Sequence, residues 1–564
     1  MRKIFIIVFL LLAQIAKSQN QLSIPDTLSG TSFDLTVHQD SVQFYPGSIT
    51  HTYGINGNSY GGPTLIINKG DNISLNVHNN MGDTTTMHWH GLHVAPKNDG
   101  GPYSMVMSGM SWNPRFIVRN SAATYWYHPH MMAKTAEQAI KGDIGLIIVR
   151  DNAEAVLNLP RHYGVDDFPI IVQSVELNAS NQFMPKGMVD SILFVNGTTS
   201  PYVSMPSQVV RMRLLNASGE RTMNFGCTAN KSFYVIGNDD GLLPAPVPAI
   251  RIRLSPGERA EVLVDLTGMS GQTIYLKSYA SELPTGIQGG PTMVMPAGSP
   301  PMNSPLNGID FNILQINVGA QTATPVTSVP AVLITDTAYL EGSAHTTRTI
   351  NMTADSLMVM DGPFYFNDSL FNMMRVDYHI PLGNTEIWKL TNQTMVAHPF
   401  HIHDVYFYIL DRDGNAPPAV ERGKKDVVLV QPNETVRFIT RFEDFADTTT
   451  PYMYHCHILM HEDDGMMGQF VVEKQSNGLP VVNQGNDQLI LYPNPVKGLL
   501  TIQQRGTSSG HAQVHIYNML GQCVYKTEHL DRHCQINTAG WSKGVYNLVY
   551  TNEGQRLSRN FIVN

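Results

Sequence analysis

The stretch Asn72-Ile73-Ser74-Leu75-Asn76-Val77 alternates polar and apolar side chains at every position. Successive side chains of a strand point to opposite faces, so this pattern predicts a strand with one buried face. Gly, Pro, Asn and Asp divide such runs along the chain, which is typical of antiparallel β-sandwiches with many turns. The predicted fold class is therefore all-β. Similar runs occur at Arg211-Met212-Arg213-Leu214-Leu215, Ala260-Glu261-Val262-Leu263-Val264 and Thr435-Val436-Arg437-Phe438-Ile439.

Length and composition predict several domains. The chain has 564 residues, of which 42% are hydrophobic and 15% are charged. This length corresponds to roughly three to four domains, each with enough apolar residues for its own core. The formal net charge of −9 argues against a nucleic-acid partner and provides no basic patch for anionic lipid.

Three sandwich domains are predicted for most of the chain, at residues 20–150, 151–324 and 325–474. The runs 256–258 (Pro-Gly-Glu) and 431–434 (Gln-Pro-Asn-Glu) occupy similar places before a strand, which suggests internal duplication. A polar linker at 475–487 precedes a fourth unit at 488–564. This small C-terminal β-sandwich has no acid–base cluster and no metal-ligand spacing, so we expect an appendage rather than a catalytic domain.

The N-terminus has the pattern of an export signal. Arg2 and Lys3 precede an apolar run from Ile4 to Ala16, and small residues follow it. The run is too short to span a bilayer, so residues 1–19 are predicted to be a signal peptide. We therefore expect the mature protein to be soluble and outside the cytoplasm.

Four cysteines do not form a disulfide framework in a chain of this size. We expect Cys227 to be a small buried apolar residue. Cys523 and Cys534 could pair across a hairpin in an oxidising compartment, and the sequence leaves this open.

Four histidine clusters contain ten of the chain's 21 histidines. One His-x-His pair alone would be weak evidence, because an isolated histidine is as often a core or surface residue as a ligand. Four such clusters, two of them extended, are not a chance pattern. They are His88-Trp89-His90, His128-Pro129-His130, His398-Pro399-Phe400-His401-Ile402-His403 and His455-Cys456-His457 followed by His461.

The spacing of these clusters predicts a metal cluster. Residues i and i+2 of a strand share a face, so each His-x-His pair directs two imidazoles to one place. Two pairs from the first domain and two from the third supply eight imidazoles, enough for three metal ions. Imidazole suits copper and zinc alike, but a zinc site closes with about four ligands and does not need eight.

Cys456 favours copper over zinc. It lies between His455 and His457 and so points to the opposite face of the strand, toward a separate metal. A thiolate with His398, His461 and a weak axial thioether forms the blue-copper type of site. Met466 is the predicted axial ligand, and Met467 is the neighbouring alternative. The strand would then give electrons a short covalent path between the two centres.

These motifs resemble those of the multicopper oxidases, specifically the group with three cupredoxin domains that includes laccases, bilirubin oxidases and copper-efflux oxidases. The resemblance covers roughly residues 50–475 and implies three cupredoxin-like Greek-key sandwiches and four copper ions per chain. By this resemblance, the type-1 copper binds His398, Cys456, His461 and Met466. The type-2 copper binds His88 and His401, and the type-3 pair binds His90, His128, His130, His403, His455 and His457.

Two carboxylates resemble the acids that deliver protons in this family. They are Asp99 and Glu462, and the formation of water requires four protons. The alternatives are a turn aspartate at Asp99 and a solvated acid at Glu462. Trp89, between two of the histidines, is expected to serve packing rather than electron transfer.

The C-terminal unit resembles the sorting domains of the type IX secretion route. The run Leu491-Tyr492-Pro493-Asn494-Pro495 and the Gly-x-Tyr-x-Leu run at 544–548 carry this resemblance. It implies an interaction with secretion machinery and a secreted or cell-surface protein. A generic adhesive β-sandwich is the alternative.

The reducing substrate is the least determined feature. Methionines cluster at 105–110 and 352–374, and thioethers bind Cu(I), although Met also fills gaps in sandwich cores. Copper-efflux oxidases place an acid and a methionine just before His398, where this chain has Thr394-Met395-Val396. Their long Met- and His-rich insertion is absent. We therefore expect O2 and a small electron-rich organic, such as a phenol, aromatic amine or pigment, with cuprous ion as the alternative.

Two other function classes are less compatible with the motifs. A copper carrier has no use for Cys456 beside an eight-imidazole cluster. A copper nitrite reductase has two domains and an active centre between subunits, whereas here one chain provides every ligand. We expect a monomer, although the sequence does not determine the oligomeric state.

Overall fold

The computed structural model describes residues 19–186, 189–292, 304–356, 359, 362–474, 489–504, 513–528, 533–552 and 555–564. Its regular structure is almost entirely β, as predicted. The chain divides into two compact units, residues 1–474 and 475–564. The predicted export signal lies outside the described residues except for Gln19. In the described segments, no helix has the length and apolar character needed to cross a membrane.

The first sandwich encloses one hydrophobic core between two sheets. In the strand Asn72–Asn80, Ile73, Leu75 and Val77 are buried, as their alternation predicts. One sheet contains Thr50–Ile55, Ser32–Val42, Asn72–Asn80 and Ser111–Trp112, with Arg115–Ile117 paired to the third of these. The other has the order Thr27–Ser29, Thr64–Asn68, Gly145–Arg150, Ala123–His128 and His88–His90.

The second sandwich has a six-stranded and a seven-stranded sheet around a second core. The six strands are Asn20–Gln21, Pro201–Pro206, Phe311–Gly319, Thr273–Ser278, Met223–Cys227 and Ile252–Leu254. The seven are Thr198–Thr199, Ile192–Val195, Asp167–Val175, Val209–Asn216, Arg259–Asp265, Phe233–Asn238 and Gly241–Ala249.

The third sandwich contains two five-stranded sheets around a third core. One has the order Phe364–Phe366, Thr346–Ala354, Thr385–Asn392, Thr435–Arg441 and Phe407–Arg412. The other has the order Tyr378–Pro381, Met467–Glu473, Asp447–Cys456, His398–Ile402 and Val427–Val430.

The C-terminal unit is a small sandwich with its own core. Cys523 and Cys534 are both free thiols and lie on strands of different sheets. The three-stranded sheet contains Leu489–Tyr492, Leu499–Gln504 and His533–Asn537, and the four-stranded sheet contains Cys523–Thr527, Gln513–Tyr517, Gly544–Asn552 and Gln555–Val563.

The expectation of antiparallel sheets is wrong for residues 20–474, where each sheet also has a parallel pair. Ser32–Val42 pairs in parallel with Asn72–Asn80, and Thr346–Ala354 does so with Thr385–Asn392. In both cases the chain between the two paired strands forms other strands. The second strand of the pair therefore runs in the same direction as the first. A connection of that length permits parallel neighbours, whereas a tight hairpin permits only antiparallel ones.

Helices are short and lie between strands. The α-helices are Pro96–Asp99, Thr135–Ile140, Asn152–Ala155 and Leu459–Asp463, and the 3₁₀ helices are Thr228–Asn230, Ala280–Glu282, Glu341–Ser343 and Ala419–Glu421.

The two turns that suggested duplication share a hydrogen-bonding pattern. Glu258 Oε2 accepts from Ser255 N at 2.6 Å, and Glu434 Oε2 accepts from Gln431 N at 2.7 Å. Each turn leads into a long antiparallel strand of its sandwich.

The strand Val209–Asn216 has no solvent-facing side, although its sequence alternates. Most of its apolar residues enter the second core, whereas Arg211 and Arg213 are buried outside it and Arg213 reaches the first sandwich. Arg213 donates to both Asp167 oxygens, at 2.7 and 2.9 Å, and to Thr124 Oγ1 at 2.9 Å. Buried ion pairs therefore line the junction between the two sandwiches.

Candidate copper centres

The strand Asp447–Cys456 has two chemically different faces. It pairs antiparallel with His398–Ile402, so that Phe400 lies opposite Cys456 and His401 lies opposite His455. Opposite residues share a face of the sheet, and faces alternate along each strand. Cys456 and Phe400 therefore face the core of the third sandwich, where both are fully buried, and His401 and His455 face the other way.

The first sandwich presents its histidines in the same manner. His88 lies opposite His128, and His90 lies opposite Trp126, on the edge of the sheet. Trp89 points to the other face, where it is fully buried in the core and stacks on Trp112 with ring centroids 6.0 Å apart. The position of Trp89 agrees with a packing role.

All eight predicted cluster histidines meet in one buried region between the first and third sandwiches. Their donor atoms form groups within 4.8 Å of one another. His90 Nδ1 lies 3.3 Å from His128 Nε2 and 3.2 Å from His457 Nε2. The groups are His90, His128 and His457; His130, His403 and His455; and His88, His90 and His401.

The second group is equally tight. His455 Nε2 lies 3.2 Å from His130 Nε2 and 3.3 Å from His403 Nε2. Nε2 of His88 and Nε2 of His401 are buried and have no hydrogen-bond partner. Buried ring nitrogens are normally satisfied, so this donor set fits metal ions that bind at the centre of the cluster.

Burial keeps seven of these imidazoles neutral by lowering their pKa values. It lowers the pKa of His403 to about 4 and that of His457 to about 3, and the neighbouring His88 adds to the effect at His403. The same burial holds the pKa well below its usual value at His90, His128, His130, His401 and His455. A neutral imidazole has the free lone pair that a metal ligand needs.

A second centre forms on the opposite face, around the thiol. Cys456 Sγ lies 3.6 Å from His398 Nδ1 and 3.5 Å from His461 Nδ1, all within one metal-sized group. Burial raises the pKa of the Cys456 thiol. A bound cation would offset this cost by stabilising the thiolate, so the site suits a metal ion.

The structure favours Met466 over Met467 as the thioether of this site. Met467 lies opposite His455 and therefore shares the face of the imidazole cluster. Met466 lies in the same hydrophobic core as Cys456, and its carbonyl accepts from Cys456 N at 3.0 Å.

The comparisons with known proteins agree with this geometry. Two family models described as multicopper oxidase match residues 36–154 and 341–476. The multicopper oxidase mco of Staphylococcus haemolyticus is 32% identical over 450 residues, which cover 78% of this chain and 88% of the relative. The cell division protein FtsP of Escherichia coli is 31% identical over 470 residues, which cover 82% and 94%.

The chain belongs to the multicopper oxidase family. A laccase-like multicopper oxidase structure, CueO from Ochrobactrum sp., matches with a TM-score of 0.70 and 31% identity, covering 80% of this chain and 100% of that one. The predicted family, the cupredoxin-like fold and the oxidoreductase class are confirmed, with copper as the metal and O2 as the acceptor of this family.

A further family model, described as a secretion system C-terminal sorting domain, matches residues 490–564. It confirms the C-terminal resemblance and implies export or a cell-surface location for this multicopper oxidase.

The two predicted acids of the oxidase lie against the cluster and are only 2–3% exposed. Asp99 Oδ2 accepts from His403 Nδ1 at 2.7 Å, and the Asp99 carbonyl accepts from His88 Nδ1 at 2.8 Å. Burial opposes ionisation of Asp99, but His403 and His88 together hold its pKa below the usual range. Asp99 is the last residue of the short helix Pro96–Asp99.

The pKa of Glu462 shifts in the opposite direction from that of Asp99. Its Oε1 lies 3.2 Å from His130 Nδ1, and its Oε2 lies 3.2 Å from His455 Nδ1. Burial, with the adjacent Asp463, raises the pKa of Glu462 well above its usual value. Glu462 is therefore not a solvated acid.

Several residues around the centres are not evident from the motifs. Thr394 Oγ1 lies 2.9 Å from His398 Nε2, and the Asp426 carbonyl accepts from His401 Nδ1 at 2.8 Å. Gly257 has φ +86°, and a Cβ there would lie 2.8 Å from the His457 ring. The only sequence signal for Asp426 is a charge immediately before the apolar run Val427–Val430.

We predict that Cys456→Ser abolishes the strong visible charge-transfer band and oxidase turnover while the fold persists, because serine offers no thiolate to the metal. Absorption spectroscopy and circular dichroism measure both effects. Cys227→Ser is the matched control, since Cys227 is fully buried in the second core. An unchanged blue band in Cys456→Ser would contradict the type-1 assignment.

Proposed function

We propose that this protein is a secreted oxidase that takes single electrons from a small electron-rich organic and transfers four of them to O2, forming water. The observation that carries the proposal is the segment His455-Cys456-His457 at the end of the strand Asp447–Cys456, which joins a thiolate site on one face to an imidazole cluster on the other. The main chain between Cys456 and its two neighbours is a covalent path a few bonds long.

The proposed metal assignment uses four copper ions per chain. Bound copper supplies one-electron redox chemistry at the thiolate site and a binding place for O2 at the cluster. The proposed type-1 ligands are His398, Cys456, His461 and Met466; the type-2 ligands are His88 and His401; and the type-3 ligands are His90, His128, His130, His403, His455 and His457.

Two carboxyl groups whose pKa values shift in opposite directions support a role in proton delivery. Glu462 has a raised pKa and can hold a proton beside His130 and His455. Asp99 has a lowered pKa and can accept or relay one beside His403. Environments that separate the pKa values of two acids are typical of acid–base pairs.

Electron entry is proposed at His461. His461 is 6% exposed, whereas His398, Cys456 and Met466 are completely buried. Outer-sphere transfer requires only an exposed ligand edge, which agrees with a wide range of organic reductants.

Cuprous ion is the second candidate, supported by Met105, Met107 and Met110, which are 54–61% exposed. In the second methionine set, Met374 is also exposed, at 92%, but other members do not support a surface site. Met352 is fully buried in the third core, and Met358 and Met360 lie outside the described residues. The segment before His398, where copper-efflux oxidases place an acid and a methionine, keeps only the methionine, and the Thr394 hydroxyl lies 2.9 Å from His398 Nε2.

The remaining assignments concern location and assembly. Residues 1–19 are proposed as the export signal and 488–564 as the address for the secretion machinery, with a monomeric enzyme between them. The proposed domains are residues 20–150, 151–324 and 325–474. A non-enzymatic copper carrier would not need two centres joined by one strand.

We expect kcat/KM for a substituted phenol to exceed that for Cu(I) under air. O2 uptake measured against a panel of organic reductants and Cu(I) tests this order. A clear preference for Cu(I) would reverse it, and the absence of O2 uptake with any reductant would contradict the oxidase proposal.

We predict that Glu462→Gln lowers kcat by at least about 100-fold, because positioned proton transfer contributes about 10²–10⁴-fold to catalysis. The rate at which the blue band bleaches with reductant should change little, since the Glu462 carboxylate contacts His130 and His455 rather than a proposed type-1 ligand. Glu137→Gln, on the exposed side of a nearby helix, should leave kcat unchanged. Equal kcat values in both variants would exclude the role of Glu462.

We expect deletion of residues 475–564 to preserve oxidase activity but to retain the protein in the periplasm, because this unit contains none of the proposed ligands. Activity assays on cell fractions measure the outcome. Loss of copper binding in the truncated protein would instead indicate a structural role for the unit.

A further inference from the structure

His90 differs from the other seven cluster histidines in the nitrogen that faces the cluster. Nδ1 of His90 lies 3.3 Å from His128 Nε2 and 3.2 Å from His457 Nε2. The other seven direct Nε2 inward, and six of these donate from Nδ1 to a carbonyl or lie beside a carboxylate. Inward Nδ1 requires the His90 proton to be on Nε2.

Asp426 is the acceptor for that proton. Its Oδ1 lies 3.2 Å from His90 Nε2, and its carbonyl accepts from His401 Nδ1 at 2.8 Å. The His90 and His401 rings stack with centroids 3.9 Å apart and planes 12° apart. One residue of the third sandwich thus orients a stacked pair of imidazoles from two domains.

Arg259 of the second sandwich holds Asp426 in place. Its Nη1 and Nη2 donate to the two carboxylate oxygens of Asp426, each at 2.6 Å. The guanidinium is completely buried, and its remaining donors go to carbonyls of Thr124, Asp239 and Gly257. All five N–H donors of this arginine are therefore satisfied, and its orientation is fully determined.

The glycine after His90 shows how closely the Arg259–Asp426 ion pair packs against the histidine cluster. Gly91 has φ +86°, and a Cβ there would lie 2.5 Å from Asp426 Oδ2 and 2.7 Å from Arg259 Nη2. Any larger residue at position 91 would displace the ion pair.

We propose that Asp426, anchored by Arg259, is a positioning residue that fixes the tautomer of His90 and so secures one ion of the type-3 copper pair. The second sandwich supplies none of the proposed ligands, but through Arg259 it controls the geometry of one of them. The inference rests on the proposed copper assignment. Partners of this kind around metal-bound histidines typically change metal affinity by about 10–100-fold.

The test compares copper content and electron paramagnetic resonance of purified Asp426→Ala with those of the unchanged protein. Asp426→Ala should lose the ion bound by His90, His128 and His457, with about 10–100-fold weaker affinity there. The two ions of a type-3 pair are antiferromagnetically coupled and give no signal. The ion that remains would lose this coupling and should therefore give a new resonance. The blue band should persist, because none of its ligands contacts Asp426.

Two further variants separate positioning from folding and from charge balance. The double variant Arg259→Met/Asp426→Ala leaves no buried guanidinium without a partner. It should still lose the copper ion that Asp426→Ala loses. Asp426→Asn keeps an oxygen for His90 Nε2 and should regain much of the copper, whereas a role in charge balance alone would not be rescued.

The matched control is Asp167→Ala, which removes an equally buried carboxylate from the bidentate pair with Arg213 but touches no imidazole. Asp167→Ala should keep the copper content of the unchanged protein, and its type-3 copper pair should still give no electron paramagnetic resonance signal. Normal copper in Asp426→Ala, or the same loss in Asp167→Ala, would overturn the inference. An unchanged protein that binds no copper would refute the proposed function itself, which is a different result.

Discussion

The antiparallel register between His398–Ile402 and Asp447–Cys456 is the constraint on which both centres depend. With Phe400 opposite Cys456, thiol and imidazoles face opposite sides of one sheet. A slip by one residue would turn Cys456 toward the cluster and His455 into the hydrophobic core. Burying unpartnered imidazoles there would be costly, so the packing of the core around Phe400 protects the register.

The buried ion pairs between sandwiches are a second constraint. Eight imidazoles from two separate sandwiches can converge only if the sandwiches hold fixed relative positions. Arg150 of the first sandwich pairs with Asp167 of the second, and Arg259 of the second pairs with Asp426 of the third. Breaking a buried pair typically costs about 3–5 kcal/mol, because the remaining charge is left without a partner. The second sandwich thus helps to fix the positions of the other two sandwiches, although it supplies none of the proposed copper ligands.

Local patterns predicted the strands well where one face meets a core and the other meets water. Ile73, Leu75 and Val77 are buried as their alternation indicates. The alternation does not show that Arg211 and Arg213 are buried, as they are in the structure. A charged residue in a strand has the same local pattern whether it is buried or solvated, and only the neighbouring sandwich determines whether it is covered. The parallel strand pairs escaped prediction for a related reason, since they join segments separated by intervening strands.

The sequence by itself determined the types of donor groups and their division between two faces, because both follow from residue identity and the two-residue period of a strand. His455, Cys456 and His457 carry that information within three positions. The tertiary structure decided which nitrogen of His90 faces inward, why Met466 rather than Met467 lies beside the thiol, and how Asp99 and Glu462 acquire opposite pKa shifts. These properties depend on contacts between residues far apart in the chain, such as His90 with Asp426 and His403 with Asp99, which only packing brings together.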